Sequence, residues 1–150
     1  MKQQMIHIEV PQLLDQVERM KRQGCRMVQI CCTRVPEGYE LTYSFDKDYT
    51  LYNLRLTAAE NEPVMSITSI YWPAFVYENE MHDLFGVQIR HIAHDVDYGG
   101  TFYRLAEKTP WHELSPRCTI VQKAPPADKP AAAKQAGTAA EKSKGGESNG

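Results

Sequence analysis

Apolar positions recur along this chain in two periods, near 3.6 and near 2, and the switches between them mark the elements. In PQLLDQVERMKRQG, residues Leu13, Leu14, Val17 and Met20 fall on one stripe of a helix. Pro11 suits its first turn and Gly24 its stop. CRMVQICCTR follows and is rich in β-branched and apolar residues, which predicts a strand. After the turn PEGY, the stretch YELTYSFD sets Leu41, Tyr43 and Phe45 against Glu40, Thr42 and Ser44. TLYNLRLTA alternates again, with Tyr52, Leu54 and Leu56 on one side. VMSITSI predicts a fourth strand, and MIHIEV near the start a short edge strand. Short turns between strands demand antiparallel neighbours. The expected fold class is α+β: an antiparallel sheet with helices packed on one face, followed by an extended C-terminal arm and a disordered tail.

The last periodic stretch, YWPAFVYENEMHDLFG, opens with Pro73 in a first turn and closes on Gly86. At 3.6 residues per turn, Ala74, Tyr77, Met81, Leu84 and Phe85 gather within about 100° of arc and should cover the sheet. Glu78 and His82 flank that stripe on one side, Glu80 and Asp83 on the other. Phe75 and Val76 point away from it, among the polar residues. A helix packed between its own sheet and a second protein would carry apolar residues there, interleaved with carboxylates that meet cations across the contact. The alternative is that the C-terminal loop of the same chain covers Phe75.

Composition changes the picture mainly at the C-terminus. The chain has 150 residues, 42% of them apolar and 24% charged, with a net charge of −2. That length suits one domain, and that charge gives no basic footprint for nucleic acid. Residues 124–150 contain no Val, Ile, Leu, Met or aromatic side chain, so this segment has little with which to offset its ordering entropy. The expected organisation is a domain with its arm over residues 1–123 and a disordered low-complexity tail over 124–150. No apolar run is long enough to span a membrane, and the first residues lack the apolar core of a signal peptide; the default compartment is the cytoplasm.

Candidate chemistry is sparse. Cys25, Cys31, Cys32 and Cys118 form no C-x-x-C pair and no zinc or iron–sulfur spacing. Buried reduced thiols are expected. Glu80 and Asp83 would act as general acid and base only if their surroundings split their pKa values, and nothing supplies a nucleophile, an oxyanion loop or a phosphate loop. A small free-standing metalloenzyme would draw on His82, Asp83, His91 and His94, but the H-x-x-H step falls in a predicted loop. No catalytic, metal-binding or cofactor-binding residue is therefore assigned. Gly99 and Gly100 mark a tight turn, after which TFYRLAEKTPW carries Phe102, Tyr103, Leu105 and Trp111, too many apolar groups for a free loop. This arm is expected to lie along a partner; packing back onto its own domain is the alternative.

SITSIYWPAFVYENEMHDLFGV resembles the core motif of the C subunit of NADH-quinone oxidoreductase (complex I), in which a strand ending in S-x-T and a bend lead to E-R-E-x-x-D-x-F-G on a helix. Ser66, Thr68, Pro73, Ala74, Glu78, Glu80, Asp83, Leu84, Phe85 and Gly86 match. Asn79 replaces the motif's arginine, His91 arrives one residue early, and the usual H-P-x-L-R-R-I-L stretch is absent. Asp97, Gly100, Phe102, Tyr103, Lys108, Thr109, Pro110 and Trp111 instead resemble the corresponding subunit of energy-converting, Ech-type nickel–iron hydrogenases. The resemblance implies a non-catalytic structural subunit in the soluble arm of a membrane-bound complex, peripheral on the cytoplasmic face of the inner membrane. Such a subunit holds no cofactor and packs against the large nickel–iron subunit and neighbouring iron–sulfur subunits. Ferredoxin oxidation, hydrogen formation and ion translocation belong to the whole complex. On this reading the partner interface comprises Phe75, Val76, Glu78, Glu80, His82, Asp83, Phe102, Tyr103 and Trp111.

Overall fold

The computed structural model describes residues 2–113; the tail over 124–150 and Cys118 lie outside them. β1 (Lys2–His7) leads through a 3-10 turn (Val10–Gln12) into α1 (Leu13–Arg22). The Gln12 side chain reaches back to the Glu9 N–H at 3.0 Å and fixes the entry. β2 (Arg26–Val35), β3 (Gly38–Lys47) and β4 (Thr50–Ala58) form the meander. Asp48 and Tyr49, at φ 48° and 60°, make the two-residue turn between β3 and β4, whose left-handed residues match the twist of the hairpin. At the first turn of the meander only glycine fits: a Cβ on Gly38 (φ +145°) would run into the Ala58 carbonyl oxygen.

The sheet order is β1-β4-β3-β2. β2, β3 and β4 are antiparallel as expected, whereas β1 pairs with β4 in parallel. Hairpin turns force antiparallel neighbours, but the link from β1 to β2 contains a helix. It carries the chain across one face to the opposite edge and leaves β1 free to align with β4. That face holds Tyr39, Leu41, Tyr43 and Phe45 from β3 and Leu54 and Leu56 from β4. Leu13, Val17 and Met20 of α1 cover it together with Ala74 and Met81 of α2 (Ala74–Phe85) in a single core. The opposite face is polar, with Ser44 donating to Asn53 at 2.8 Å and Arg55 reaching Thr42 and Glu40.

The stretch VMSITSI is not a fourth strand of this sheet. Only Val64–Met65 is extended (β5), paired in parallel with β6 (Ile89–Arg90) as a separate two-stranded ribbon. Beyond it the Ser66 hydroxyl accepts from the Thr68 N–H, and Ile70 and Tyr71 both donate to the Ile67 carbonyl. Side-chain and turn bonds here take the place of a ladder.

Candidate partner interface

α2 is amphipathic in an unusual sense, because several of its polar groups are inside. Ala74, Met81 and Leu84 are buried as the apolar stripe requires, with Tyr77 and Phe85 packed at its margin. Tyr77 reaches the Val28 carbonyl at 3.3 Å, where a register shift in β2 between Met27 and Gln29 leaves that carbonyl outside the regular pairing. Gly86 ends the helix in the left-handed region (φ +81°), a conformation that costs a residue with a Cβ more than it costs glycine.

Glu78 is 1% exposed. It accepts from the Ser66 hydroxyl at 2.6 Å and from the Ile67 N–H at 2.8 Å. Burial pushes its carboxyl above the ordinary carboxylate range, and the two hydrogen bonds pull back against that rise. Its expected place at a partner surface is therefore corrected: the carboxyl closes the 66–67 turn of its own chain. Asp83 is also internal. It accepts from the Tyr103 N–H at 2.8 Å and lies 3.1 Å from His82 Nδ1. Asn79, at the motif's arginine position, donates to the carbonyls of Phe75 and Val96 and accepts from the Tyr98 N–H. Its shape suits this task, since one amide can donate twice and accept once within a short reach. Glu80 remains half-buried at the margin of the helix and enters no ion pair among the described residues.

The arm after Gly100 does not leave the domain. Tyr103 is tied to Asp83, Trp111 donates to the Leu84 carbonyl at 2.9 Å, and the Trp111 ring meets Phe85 edge-on at 5.3 Å. His112 sits in a latch. Its Nδ1 is 2.8 Å from the Tyr39 hydroxyl and its Nε2 is 2.9 Å from Glu60. Tyr39 donates to the Phe85 carbonyl at 2.9 Å, and burial raises its pKa and keeps that donor proton in place. Arg34 joins the group, donating to the His112 carbonyl at 2.8 Å and to Glu60 at 3.0 Å. The alternative in which the arm packs back onto its own domain thus holds for its two anchor points. No element-level pattern marks Arg34, Tyr39 or Glu60, which lie far from His112 in sequence.

Apolar side chains remain outside. Trp72 is 49% exposed and stacks obliquely on Phe75 at 6.0 Å, and Val76 is exposed beside them. The helix period does not reveal the exposed Trp72, because it stands before Pro73 and outside the helix. Tyr98, Phe102 and Tyr103 form an edge-to-face ladder with spacings of 5.1 and 5.0 Å, and Tyr98 and Tyr103 are exposed. Trp111 is 50% exposed despite its contact with Phe85. Among the described residues no group of three or more His, Cys, Asp or Glu is arranged to hold a metal ion. Of His82, Asp83, His91 and His94, only the first two bond to each other. No helix among these residues is long and apolar enough to cross a membrane.

The family model of the respiratory-chain NADH dehydrogenase 30 Kd subunit matches residues 6–95. The chain belongs to that family. The match to the 30 Kd subunit family takes in the whole meander and α2 and ends before the arm. No curated protein matches the chain. Among solved structures, this 30 Kd-family chain is similar to one from the membrane-bound sulfane sulfur reductase, an archaeal respiratory membrane complex, at 23% identity and a TM-score of 0.56. The similarity covers 61% of this chain and 58% of that one, and it is a likeness of fold.

Proposed function

We propose that this chain is a non-catalytic structural subunit in the soluble arm of a membrane-bound, energy-converting nickel–iron hydrogenase, clamped against the large catalytic subunit. The family match over residues 6–95 carries the reading, since it makes the chain a relative of a subunit within a redox assembly. Exposed aromatic groups at Trp72, Tyr98, Tyr103 and Trp111, with Phe75 beside the first, support it: they present ring faces that a partner's core would bury. The hydrogenase branch rests on the arm, where Asp97, Gly100, Phe102, Tyr103, Lys108, Thr109, Pro110 and Trp111 follow the pattern of that group. Nickel–iron and iron–sulfur centres would belong to the neighbours, and the chain would be peripheral on the cytoplasmic face.

A second reading, the C subunit of a respiratory NADH-quinone oxidoreductase, is favoured by the family's own description. The two differ in their partners. Purifying the tagged chain from solubilised membranes and identifying what accompanies it separates them. A large subunit with two C-x-x-C nickel-ligand pairs is expected. A quinone-reductase set would move the assignment to the second reading, and a chain recovered alone, with bound metal and turnover of its own, would overturn both.

A further inference from the structure

Between the last turn of α2 and the arm lies a cleft of about 620 Å³, walled by His82 and Asp83 on one side and by residues 99–101, 103–105, 108 and 109 on the other. Its charged lining is Asp83, Arg104 and Lys108. Asp83 makes no direct ion pair with either cation. Its side chain is 2% exposed, one oxygen takes the Tyr103 N–H, and the other faces His82 Nδ1. Neither Arg104 nor Lys108 enters an ion pair among the described residues. The solvent-facing charges of the lining are therefore Arg104 and Lys108, which exceed the inward-facing Asp83 by one positive charge.

The backbone that carries the cations is anchored on both sides. The backbone is fixed on one side of them by Tyr103 on Asp83 and on the other by Trp111 on Leu84 and His112 on Tyr39. Residues 104–110 thus form a bridge between two anchors. A bridge fixed at both ends loses less freedom on binding than a free loop does. At the start of the arm, Gly100 passes so close to His82 that a Cβ there would lie 3.0 Å from the ring.

We infer that this cleft receives an acidic segment of the large subunit, with an Asp or Glu carboxylate paired to Arg104 and Lys108. The inference rests on the assembly role proposed above and adds the chemistry of the contact. Arginine takes a carboxylate in a two-point fork and lysine adds a mobile charge, so together they select a carboxylate-bearing strand or loop.

Zero-length carbodiimide coupling on the intact purified complex, with mapping of the joined peptides, reads the contact directly. Lys108 should couple to an Asp or Glu of the large subunit. In parallel, the Arg104→Glu, Lys108→Glu chain should be retained in the complex about tenfold less than the wild type, because like charges would then face each other across the contact. Arg104→Lys, Lys108→Arg should be retained normally, and all variants should share one urea midpoint. Coupling of Lys108 only to Asp128, Glu141 or Glu147 of its own chain would assign the cleft to that segment and overturn the inference. Undiminished retention of the charge-reversed chain would overturn it too, while leaving the assembly role standing. Failure of the wild-type chain to accompany any large subunit would instead remove the assembly role itself.

Discussion

Replacing Glu78 tests whether the acidic helix serves its own fold or a neighbour. In Glu78→Ala the Ser66 hydroxyl can turn to Thr68, 2.8 Å away, but the buried Ile67 N–H loses its acceptor. An orphaned buried donor costs about 1–3 kcal/mol, and the vacated volume adds a further cost of order 1 kcal/mol. Against this, the substitution removes a carboxylate whose ionised form burial disfavours. The net loss should be about 2 kcal/mol, a large share of a typical ~5–15 kcal/mol. Glu78→Gln keeps an acceptor for Ile67 and can donate to Ser66, so it should lie within about 1 kcal/mol of the wild type. The pH dependence has a definite sign. Glu78 has a folded pKa raised above its ordinary 4.5, so the native state binds a proton that the unfolded chain has released. The stability this contributes is complete below that ordinary value and is lost as pH rises through the folded pKa. The wild type should therefore fall relative to Glu78→Gln across that window. Urea unfolding of the purified chain from about pH 4.5 to about pH 8 measures both effects, with a shift of about 1 M expected for the alanine variant at the usual urea slope. If Glu78→Ala unfolds at the wild-type midpoint and loses only assembly, the carboxyl works across an interface and the internal account is wrong.

Two further substitutions probe the frame around the site. Gly38→Ala drives a Cβ into the Ala58 carbonyl at the end of the meander and should cost about 3 kcal/mol or more, read as a lowered urea midpoint or loss of soluble protein; a normal midpoint would refute the close approach. In a Cys118→Ser background, a thiol-specific reagent near pH 8 should modify exposed Cys31 and spare Cys32, whose pKa burial pushes up to about 12, and buried Cys25, which burial also raises; mass mapping of the labelled peptide decides it.

Local periodicity makes α1, the three-strand meander and α2 legible, because each element spans several repeats of its own pattern and ends on a turn residue. The failures share a cause. β1 aligns with β4 through bonds to residues nearly fifty positions away, and no feature of MIHIEV encodes the direction of its neighbour. VMSITSI alternates like a strand, yet Ser66 bonds to both Thr68 and Glu78 instead of extending a ladder. The apolar margin of α2 is readable, but the destinations of its acids are not. A carboxylate on a helix looks the same in sequence whether it meets an arginine across an interface or a backbone N–H of its own chain. Asn79 marks the limit most clearly. It stands out only as a departure from a motif, while two of its three bonds depend on where residues 96–98 come to rest.

Those acids and the exposed aromatic rings have one physical origin. The segments on either side of α2, residues 66–73 and 96–112, have almost no ladder to satisfy their backbone groups, and buried backbone N–H groups require partners. α2 supplies them from its side chains, Glu78 to the Ile67 N–H, Asn79 to the Tyr98 N–H and Asp83 to the Tyr103 N–H, and Asn79 also donates to the Val96 carbonyl. Polar residues consequently occupy positions along the helix that apolar ones would fill in an ordinary amphipathic helix. Tyr71 of the first segment still reaches the core, packed on Phe45, but the other rings of these segments are left at the surface. Trp72, Tyr98 and Tyr103 therefore turn outward. A domain selected to stand alone would gain by extending the sheet and enclosing those rings. Keeping the segments irregular and the rings outside would be favourable under the proposed assembly, in which a second polypeptide completes the core.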